Sequence, residues 1–203
     1  MQDKTKCVKE TKLNLSAAIL VGLSTRMGRD KALLEVDGQS FIGRLAKELS
    51  VCREVFISST LENDYSACGV PVVRDVHQGF GPIEGIRRSL MYAAYDHVFI
   101  CAVDMPCVRA GMVRYLAGFI SPEYDILVFR DEARVHPLCG IYSKAVLPAA
   151  EKMVEEGRHR MTDLIQSART RCIDISGSGF HAASLVNINT PEEYRAIAGG
   201  GAR

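Results

Sequence analysis

The chain has 203 residues, of which 47% are hydrophobic, and its 25 Lys and Arg residues nearly balance 24 Asp and Glu residues to leave a formal net charge of +1. This apolar content supports a folded core and excludes an intrinsically disordered chain. The near-neutral charge excludes the broad basic surface of a dedicated nucleic-acid-binding protein, but it permits a local anion pocket. Because no apolar run is long enough for a membrane helix, we expect a cytoplasmic protein without a membrane partner.

Strands and helices are predicted to alternate along the chain. In order, the predicted elements are a flexible polar arm (1–13), strand 15–21, a glycine-containing loop, a turn at Asp37-Gly38, helix 41–50, strand 54–58, strand 70–73, helix 85–95, strand 97–103, helix 108–120, strands 124–129 and 135–142, helices 145–156 and 161–168, strands 171–175 and 184–188, helix 191–197 with Thr190 as its N-cap, and a frayed tail (199–203). This alternation is typical of a mostly parallel sheet covered by helices. We therefore expect one α/β domain over 1–203.

The seven cysteines do not form a C-x-x-C pair, and their number is odd. Zinc sites and dithiol redox sites commonly use that spacing. We therefore predict that most of them are buried free thiols in a reducing compartment.

The loop after the first predicted strand has the composition of a phosphate site. Residues 22–31 contain two glycines, neighbouring hydroxyl side chains and the cations Arg26, Arg29 and Lys31. Glycines let backbone N–H groups approach an anion, Arg26 offers a fork of donors and Lys31 a point charge. We interpret the segment as a triphosphate cradle, and the alternative is an ordinary polar surface loop. It is not a Walker A loop, because Lys31 does not directly follow the second glycine and no Ser or Thr follows it.

A second glycine-rich segment, residues 79–85, follows Asp75. It is not a dinucleotide fingerprint, because Glu84 stands at the third glycine position and Pro82 lies inside it. The free N–H groups of the helix that follows are candidates to face a base or a sugar. Asp75 is placed to accept hydrogen bonds from a ribose or a base, and its alternative role is to cap the loop.

Asp104 directly follows the predicted strand 97–103, the most convincing central strand, and precedes Met105-Pro106. A carboxylate at the end of a buried strand points into the crevice where ligands bind in open α/β sheets, and Mg²⁺ commonly takes only one or two protein carboxylates beside substrate phosphates. The alternative is an acidic residue favoured by a helix N-terminus. His136, Asn187 and Asn189 lie at later strand boundaries and are candidates for the pocket of a second substrate. The alternative for His136 is a partly exposed loop histidine, and the alternative for the two asparagines is a turn or capping role.

Residues 20–31 resemble the glycine-rich signature of molybdenum cofactor guanylyltransferases, within the wider nucleotidyltransferases of sugar-nucleotide type. Four further segments resemble motifs of that family in the same order: Asp75 with residues 81–86, then residues 104–106, 136–138 and 186–191. The first motif is highly specific and the others are weak alone. Together they cover nearly the whole chain and imply a Rossmann-like, three-layer nucleotidyltransferase fold.

The resemblance implies transfer of GMP from GTP to the phosphate of molybdopterin, with Mg²⁺ or Mn²⁺ as the cofactor and pyrophosphate as the product. It also implies transient contact with molybdenum insertion proteins or with the molybdoenzymes that receive the product. By the resemblance, GTP is bound by Leu20, Val21, Gly22, Lys31, Ser58, Asp75, Gly81, Pro82 and Asp104. Asn187, Asn189 and His136 are implied for molybdopterin. Arg26, Lys31 and Asp104 stabilise charge during the reaction, and Asp104 also holds the metal.

The first motif departs from the family at its glycine pair, since only Gly22 is present. Either one residue is deleted or Val21 replaces the first glycine, and a β-branched residue disfavours positive φ. At Ser58 the family often has Asn. Two alternative functions stay open: a cytidylyltransferase acting on the same cofactor, and a non-catalytic carrier of a nucleotide or cofactor with the same fold.

Overall fold

The computed structural model describes residues 11–22, 30–60, 63–77 and 79–198. Its strands are β1 (Leu13–Val21), β2 (Glu35–Val36), β3 (Gln39–Ser40), β4 (Cys52–Ser59), β5 (Val72–Arg74), β6 (His97–Ala102), β7 (Ile126–Arg130), β8 (Val135–Ser143) and β9 (Thr170–Asp174). Its helices are α1 (Phe41–Leu49), α2 (Pro82–Tyr92), α3 (Ala110–Ala117), α4 (Leu147–Glu155), α5 (Met161–Ser167) and α6 (Pro191–Ala198). The predicted tail, 199–203, lies outside the described residues.

One seven-stranded sheet organises these elements, in the order β5-β4-β1-β6-β8-β7-β9. Strands β5, β4, β1 and β6 are parallel neighbours, and β7 is parallel to β9. The sheet is therefore mostly parallel, as predicted. Strand β8 is the exception, because it runs antiparallel to both β6 and β7. A short turn joins β7 to β8, and so short a connection can only reverse the chain.

Helices cover both faces of the sheet and give the predicted three layers. Along β1, Ala17 and Ile19 pack into the core beneath α1 and α3, whereas Ala18 and Leu20 pack into the core beneath α2 and α4. This alternation follows from the two-residue period of a strand whose two faces are both buried. The near-continuous apolar run of β1 therefore serves two cores at once.

The structure corrects two predictions. Strand β1 begins at Leu13, whose N–H donates to the carbonyl of Val51, so the last residue of the predicted arm belongs to the sheet. The strand predicted at 184–188 is absent from the sheet: a 3-10 turn spans Ala182–Leu185, and the N–H of Ile188 donates to the carbonyl of Asp104. Leu185 and Ile188 are buried, so their apolar character reflects tertiary packing rather than strand pairing.

The strands β7 and β8 lose their regular register near Pro137. Val128 is paired with Gly140, and the next residue of β7, Phe129, is paired with His136. Proline cannot donate to the ladder and is tolerated in strands at such irregular positions. The irregularity places the first two residues of β8, Val135 and His136, beyond the regular part of the sheet.

Within the described residues, no helix is both long and apolar enough to cross a membrane. Six of the seven cysteines are described, and all six are free thiols. Cys52, Cys101 and Cys139 are buried, Cys68 and Cys107 are partly buried, and Cys172 is exposed. Three of the six described thiols are therefore buried, and the other three are partly buried or exposed.

Candidate active site

The candidate site lies where the strand order of the sheet changes direction. From β1 the chain continues to β4 and β5 on one side, and then returns to place β6 on the other side of β1. The loops after neighbouring strands diverge at such a switch point and leave a crevice at the carboxyl ends of the strands. Lys31 follows β1 in the chain, Asp75 follows β5 and Asp104 follows β6, so all three are delivered to this edge.

Lys31 and Asp104 meet in this crevice. The Nζ atom of Lys31 lies 3.6 Å from Oδ2 of Asp104 and donates a 2.7 Å hydrogen bond to Oδ1 of Asn189. Asn187 donates from Nδ2 to Oδ1 of Asp104 at 2.8 Å. Lys31 and Asp104 are 13% and 21% exposed at their side chains, so their charges are only partly screened by solvent. Three distant segments thus supply one polar cluster.

The segment that carries the two asparagines is fixed at both ends. Before Asn189, the N–H of Ile188 donates to the backbone carbonyl of Asp104. After it, Thr190 and Glu193 form a capping box at the start of α6: the N–H of Thr190 donates to Glu193, and the N–H of Glu193 donates to the hydroxyl of Thr190. The predicted N-cap at Thr190 is confirmed. Asn187 and Asn189 are therefore presented from a rigid connection.

Asp30 anchors the loop of Lys31, a role that the sequence analysis did not assign. Its Oδ1 atom accepts from the N–H of Ala32, and its Oδ2 atom accepts from the hydroxyl of Tyr65 at 2.7 Å and from Nδ2 of Asn63 at 2.6 Å. Tyr65 is 1% exposed. The sequence signal for this role is the position of Asp30 directly before a short turn, because Asp is a preferred N-cap residue.

The end of β1 is held by backbone hydrogen bonds to its neighbours. The carbonyl of Leu20 accepts from the N–H of Val103, and the carbonyl of Val21 accepts from the N–H of Thr60. In the described ranges, Asp37 is the one non-glycine residue with positive φ. Val21 therefore does not adopt positive φ, and its backbone is not strained. Val21 is the last residue of β1 and is buried, and Gly22 after it is exposed. The predicted cradle residue Arg26 lies outside the described residues.

Asp75 and Ser58 form a pair beside the end of β4. The hydroxyl of Ser58 donates to Oδ1 of Asp75 at 2.9 Å. Burial raises the pKa of the Asp75 carboxyl, the Ser58 hydrogen bond opposes that shift, and the nearby charge of Glu84 adds to it. Ser58 is 2% exposed, and its hydroxyl supports the Asp75 carboxylate.

Helix α2 begins with the backbone geometry that its glycine and proline dictate. Gly81 has φ +60°, a conformation that side chains disfavour, and Pro82 occupies the first turn, where its missing N–H costs nothing. A Cβ atom at Gly85 would lie 3.2 Å from Cδ2 of Leu20. The helix therefore packs closely on β1 and brings its N-terminus to the crevice.

Glu84 is a fully buried carboxylate that holds the Asp75 loop against α2. It accepts from the N–H groups of Val76 and His77, and it forms a two-pronged ion pair with Arg87 at 2.7 and 2.9 Å. Burial acts to raise its pKa, but the hydrogen bonds from Arg87, Val76 and His77 outweigh burial and lower the pKa overall. The spacing of Glu84 and Arg87 on one helix face was the sequence signal for this pair.

His136 is buried at the start of β8, and its ring is already paired. Its Nε2 atom lies 2.8 Å from Oδ2 of Asp131, in the turn between β7 and β8. The same turn brings Arg134 to Asn187, with 3.4 Å between the guanidinium and Oδ1 of the amide. Arg134 was missed in the sequence analysis. Its one signal was its position two residues before the His136 motif.

The described residues contain no group of three His, Cys, Asp or Glu side chains that could hold a metal ion by themselves. Asp104 is the carboxylate at the centre of the polar cluster, and its oxygens match the preference of Mg²⁺ for oxygen ligands. A cation held there would require further oxygens from a substrate. A single carboxylate suits a metal that arrives with phosphates.

Comparison with known proteins identifies relatives over most of the chain. Residues 17–172 match the model of the MobA-like NTP transferase domain. A protein from Carboxydothermus hydrogenoformans named "probable molybdenum cofactor guanylyltransferase" is 31% identical over 188 residues, which cover 91% of this chain and 95% of that protein. A protein of the same name from Clostridium perfringens is 38% identical over 139 residues, 68% of this chain and 70% of that protein.

Solved structures agree with this assignment. A crystal structure from Aquifex aeolicus has 28% identity and a TM-score of 0.74, covering 90% of this chain and 96% of that chain. The molybdopterin-guanine dinucleotide biosynthesis protein A of Archaeoglobus fulgidus shares the fold with a TM-score of 0.78 at 21% identity, covering 91% of this chain and 97% of that chain. From the matched domain and the full-length relatives we conclude that this nucleotidyltransferase belongs to the molybdenum cofactor guanylyltransferase family.

Proposed function

We propose that the chain transfers GMP from GTP to the terminal phosphate of molybdopterin and releases pyrophosphate. The observation that carries the proposal is the cluster of Lys31, Asp104 and Asn187 at the switch point of the sheet. A cation and a carboxylate in one crevice suit a reaction between two phosphorylated substrates. The names of the relatives, which describe guanylyl transfer to the molybdenum cofactor, support this choice of substrates.

The nucleotide half of the site is assigned to the loops after β1, β4 and β5. Leu20, Val21 and Gly22 face guanine and sugar through their backbone, and Lys31 and Arg26 bind the phosphates. Asp75 accepts hydrogen bonds from the nucleoside, with Ser58 behind it at 2.9 Å. Gly81 and Pro82 bring the N-terminus of α2 toward the nucleotide.

The acceptor half is assigned to Asn187, Asn189 and the turn held by His136. Asn187 donates to Asp104, and Asn189 accepts from Lys31, so both amides contact the residues that the nucleotide half uses. The ring of His136 supports the turn through its contact with Asp131. Two substrates bound in these halves would meet beside Asp104.

The reaction needs no protein base, because the nucleophile is an ionised phosphate. An oxygen of the acceptor phosphate attacks the α-phosphorus of GTP, a new P–O bond forms, and the bond from the α-phosphorus to the bridging oxygen breaks. Both electrons of that bond leave with pyrophosphate. The protein contributes positioning and charge stabilisation through Lys31 and Arg26. Asp104 would hold Mg²⁺, or Mn²⁺ in its place, and the metal supplies electrostatic stabilisation of the phosphates.

The test is pyrophosphate release with molybdopterin, Mg²⁺ and either GTP or CTP. Release with GTP and formation of the guanine dinucleotide support the proposal. Preferential release with CTP would make the chain a cytidylyltransferase, an alternative consistent with the fold, because a Thermus thermophilus cytidylyltransferase shares it at a TM-score of 0.66 and 16% identity. Binding of both substrates without release would identify a carrier.

A further inference from the structure

Arg134 is a cation beside the candidate site that has no partner of opposite charge in the part of the chain that the structure describes. Its side chain is exposed at the turn between β7 and β8. Its one hydrogen bond to another side chain there is the 3.4 Å contact with Oδ1 of Asn187. The neighbouring Arg130, in contrast, forms an ion pair with Asp174 at 3.4 Å. Most of the donors of the Arg134 guanidinium are therefore free to bind an anion.

Asp131, an acidic residue of the same turn, binds the backbone of Arg134 and forms no ion pair with its guanidinium. The carboxylate of Asp131 accepts from the N–H groups of Ala133 and Arg134, each at 2.8 Å, and its Oδ2 atom lies 2.8 Å from Nε2 of His136. The hydrogen bond from His136 and those from the turn backbone lower the pKa of Asp131 to about 2. The Asp131 carboxylate thus stabilises the turn, and the Arg134 side chain is exposed at its surface.

A single amide connects Arg134 to the centre of the site. Asn187 donates from Nδ2 to Asp104 at 2.8 Å, and its Oδ1 atom faces Arg134. Lys31 contacts the other carboxylate oxygen of Asp104. Lys31 therefore contacts Asp104 directly, whereas Arg134 is linked to Asp104 through Asn187. The loop of Lys31 is assigned to the nucleotide half, so Arg134 is a cation available to the acceptor half.

We propose that Arg134 binds the phosphate monoester of the acceptor and holds it beside Asp104. The inference rests on the proposed function and adds a binding residue to it. An arginine offers two parallel N–H donors to phosphate oxygens, and the charge offsets the repulsion between the acceptor phosphate and the triphosphate. The adjacent residues Val135 and Val186 are exposed apolar side chains, which suit an acceptor that carries a ring system behind its phosphate.

The experiment compares the binding of molybdopterin with that of dephosphorylated molybdopterin. Isothermal titration calorimetry under reducing conditions measures the affinity for each form. For the intact protein we expect tighter binding of the phosphorylated form. For Arg134→Ala we expect a loss of about 10- to 100-fold in affinity for molybdopterin, the range of a charge-assisted hydrogen-bonded contact, with little change for the dephosphorylated form. Arg134→Lys keeps the charge but lacks the two parallel donors, so its affinity for molybdopterin should lie between those of the intact protein and Arg134→Ala.

Arg130→Ala is the matched control, because Arg130 lies on the same hairpin and is paired with Asp174. It should bind both pterins as the intact protein does. Equal losses for both pterins in Arg134→Ala would indicate a structural role and would overturn the inference, as would an unchanged affinity for molybdopterin. Binding requires no turnover, so an intact protein that distinguishes the two pterins but releases no pyrophosphate would overturn the proposed function alone.

Discussion

The ammonium group of Lys31 lies 3.6 Å from the carboxylate of Asp104 and donates to the amide of Asn189. These residues come from the loop after β1, the end of β6 and the connection before α6. The Lys31 ammonium group is thus paired with oxygens of the protein itself. Phosphate oxygens must compete with those contacts, so substrate binding and rearrangement of this cluster are linked.

Replacing Lys31 by Ala is expected to lower kcat/KM for GTP by about 10- to 100-fold, because the phosphates lose a charge-assisted contact in the bound and reacting states. Steady-state pyrophosphate release over a range of GTP concentrations measures the effect. Lys152→Ala is the matched control, since Lys152 is an exposed residue of α4 that forms an ion pair with Glu156. Kinetics equal to those of the control would remove Lys31 from the site.

Asp104→Asn is expected to reduce pyrophosphate release by at least about 100-fold, the scale seen when a group that stabilises transition-state charge is removed. The amide oxygen can still accept from Asn187, so the contact at 2.8 Å survives. The free energy of unfolding should change by about 1 kcal/mol or less, as for other partly exposed ion pairs. Turnover and chemical denaturation are measured on the same preparation. Near-normal turnover over a range of Mg²⁺ concentrations would rule out Asp104 as the metal ligand.

Glu84→Gln is expected to lower the free energy of unfolding by about 3 kcal/mol, because it leaves Arg87 beside a buried neutral amide. The pKa of Glu84 is lower in the folded protein than in the unfolded chain, where it is near 4.5. The ionised carboxylate therefore stabilises the fold at a pH above the unfolded-state pKa. This stabilisation is lost as the pH falls through the folded-state pKa. The difference between the intact protein and the variant should therefore shrink on acidification.

Urea denaturation between pH 3 and pH 7 measures this dependence. Glu192→Gln is the control, because Glu192 forms an exposed ion pair with Arg195 and should contribute about 0.5 kcal/mol or less. A loss for Glu84→Gln that stayed constant with pH would show that the carboxylate charge is not what stabilises the loop.

Asp75→Asn is expected to separate stability from nucleotide binding. The pKa of Asp75 is raised in the folded protein, chiefly by burial. Ionisation of this residue therefore lowers the stability as the pH rises above the pKa of the unfolded state, which is near 3.8. The asparagine variant does not ionise, and its stability relative to the intact protein should increase between acidic and neutral pH and then level off. GTP binding should weaken by about tenfold because a charged acceptor is lost. Unaltered GTP affinity would exclude a nucleoside contact.

Much of the fold could be predicted from local patterns. The apolar run after residue 15 predicted β1, and the helical spacing from Phe41 predicted α1, because burial on two faces or on one stripe imposes these patterns. The position of Asp104 followed from the end of β6. The direction of β8 was harder to predict, since a run of apolar residues does not specify whether a strand is parallel to its neighbour.

The contacts that complete the site could not be predicted in the same way. Glu84 interrupted a glycine pattern, and its contacts with the N–H groups of Val76 and His77 are revealed only by the packing of α2 against the Asp75 loop. The residues 184–188 resembled a strand because Leu185 and Ile188 are apolar, yet these side chains fill a core beside the sheet. Such contacts join residues far apart in the chain, so no local pattern contains them.

The reversed direction of β8 affects how the two halves of the site can vary. Because β8 starts at the carboxyl edge of its neighbour β6, a short hairpin turn, and not a strand-to-helix loop, meets Asn187. Changes in the length or sequence of residues 131–134 would alter the proposed acceptor side without shifting the strand–helix–strand units that carry Lys31, Asp75 and Asp104. On the proposed assignment, acceptor preference could change through this turn while the residues assigned to the nucleotide stay in place.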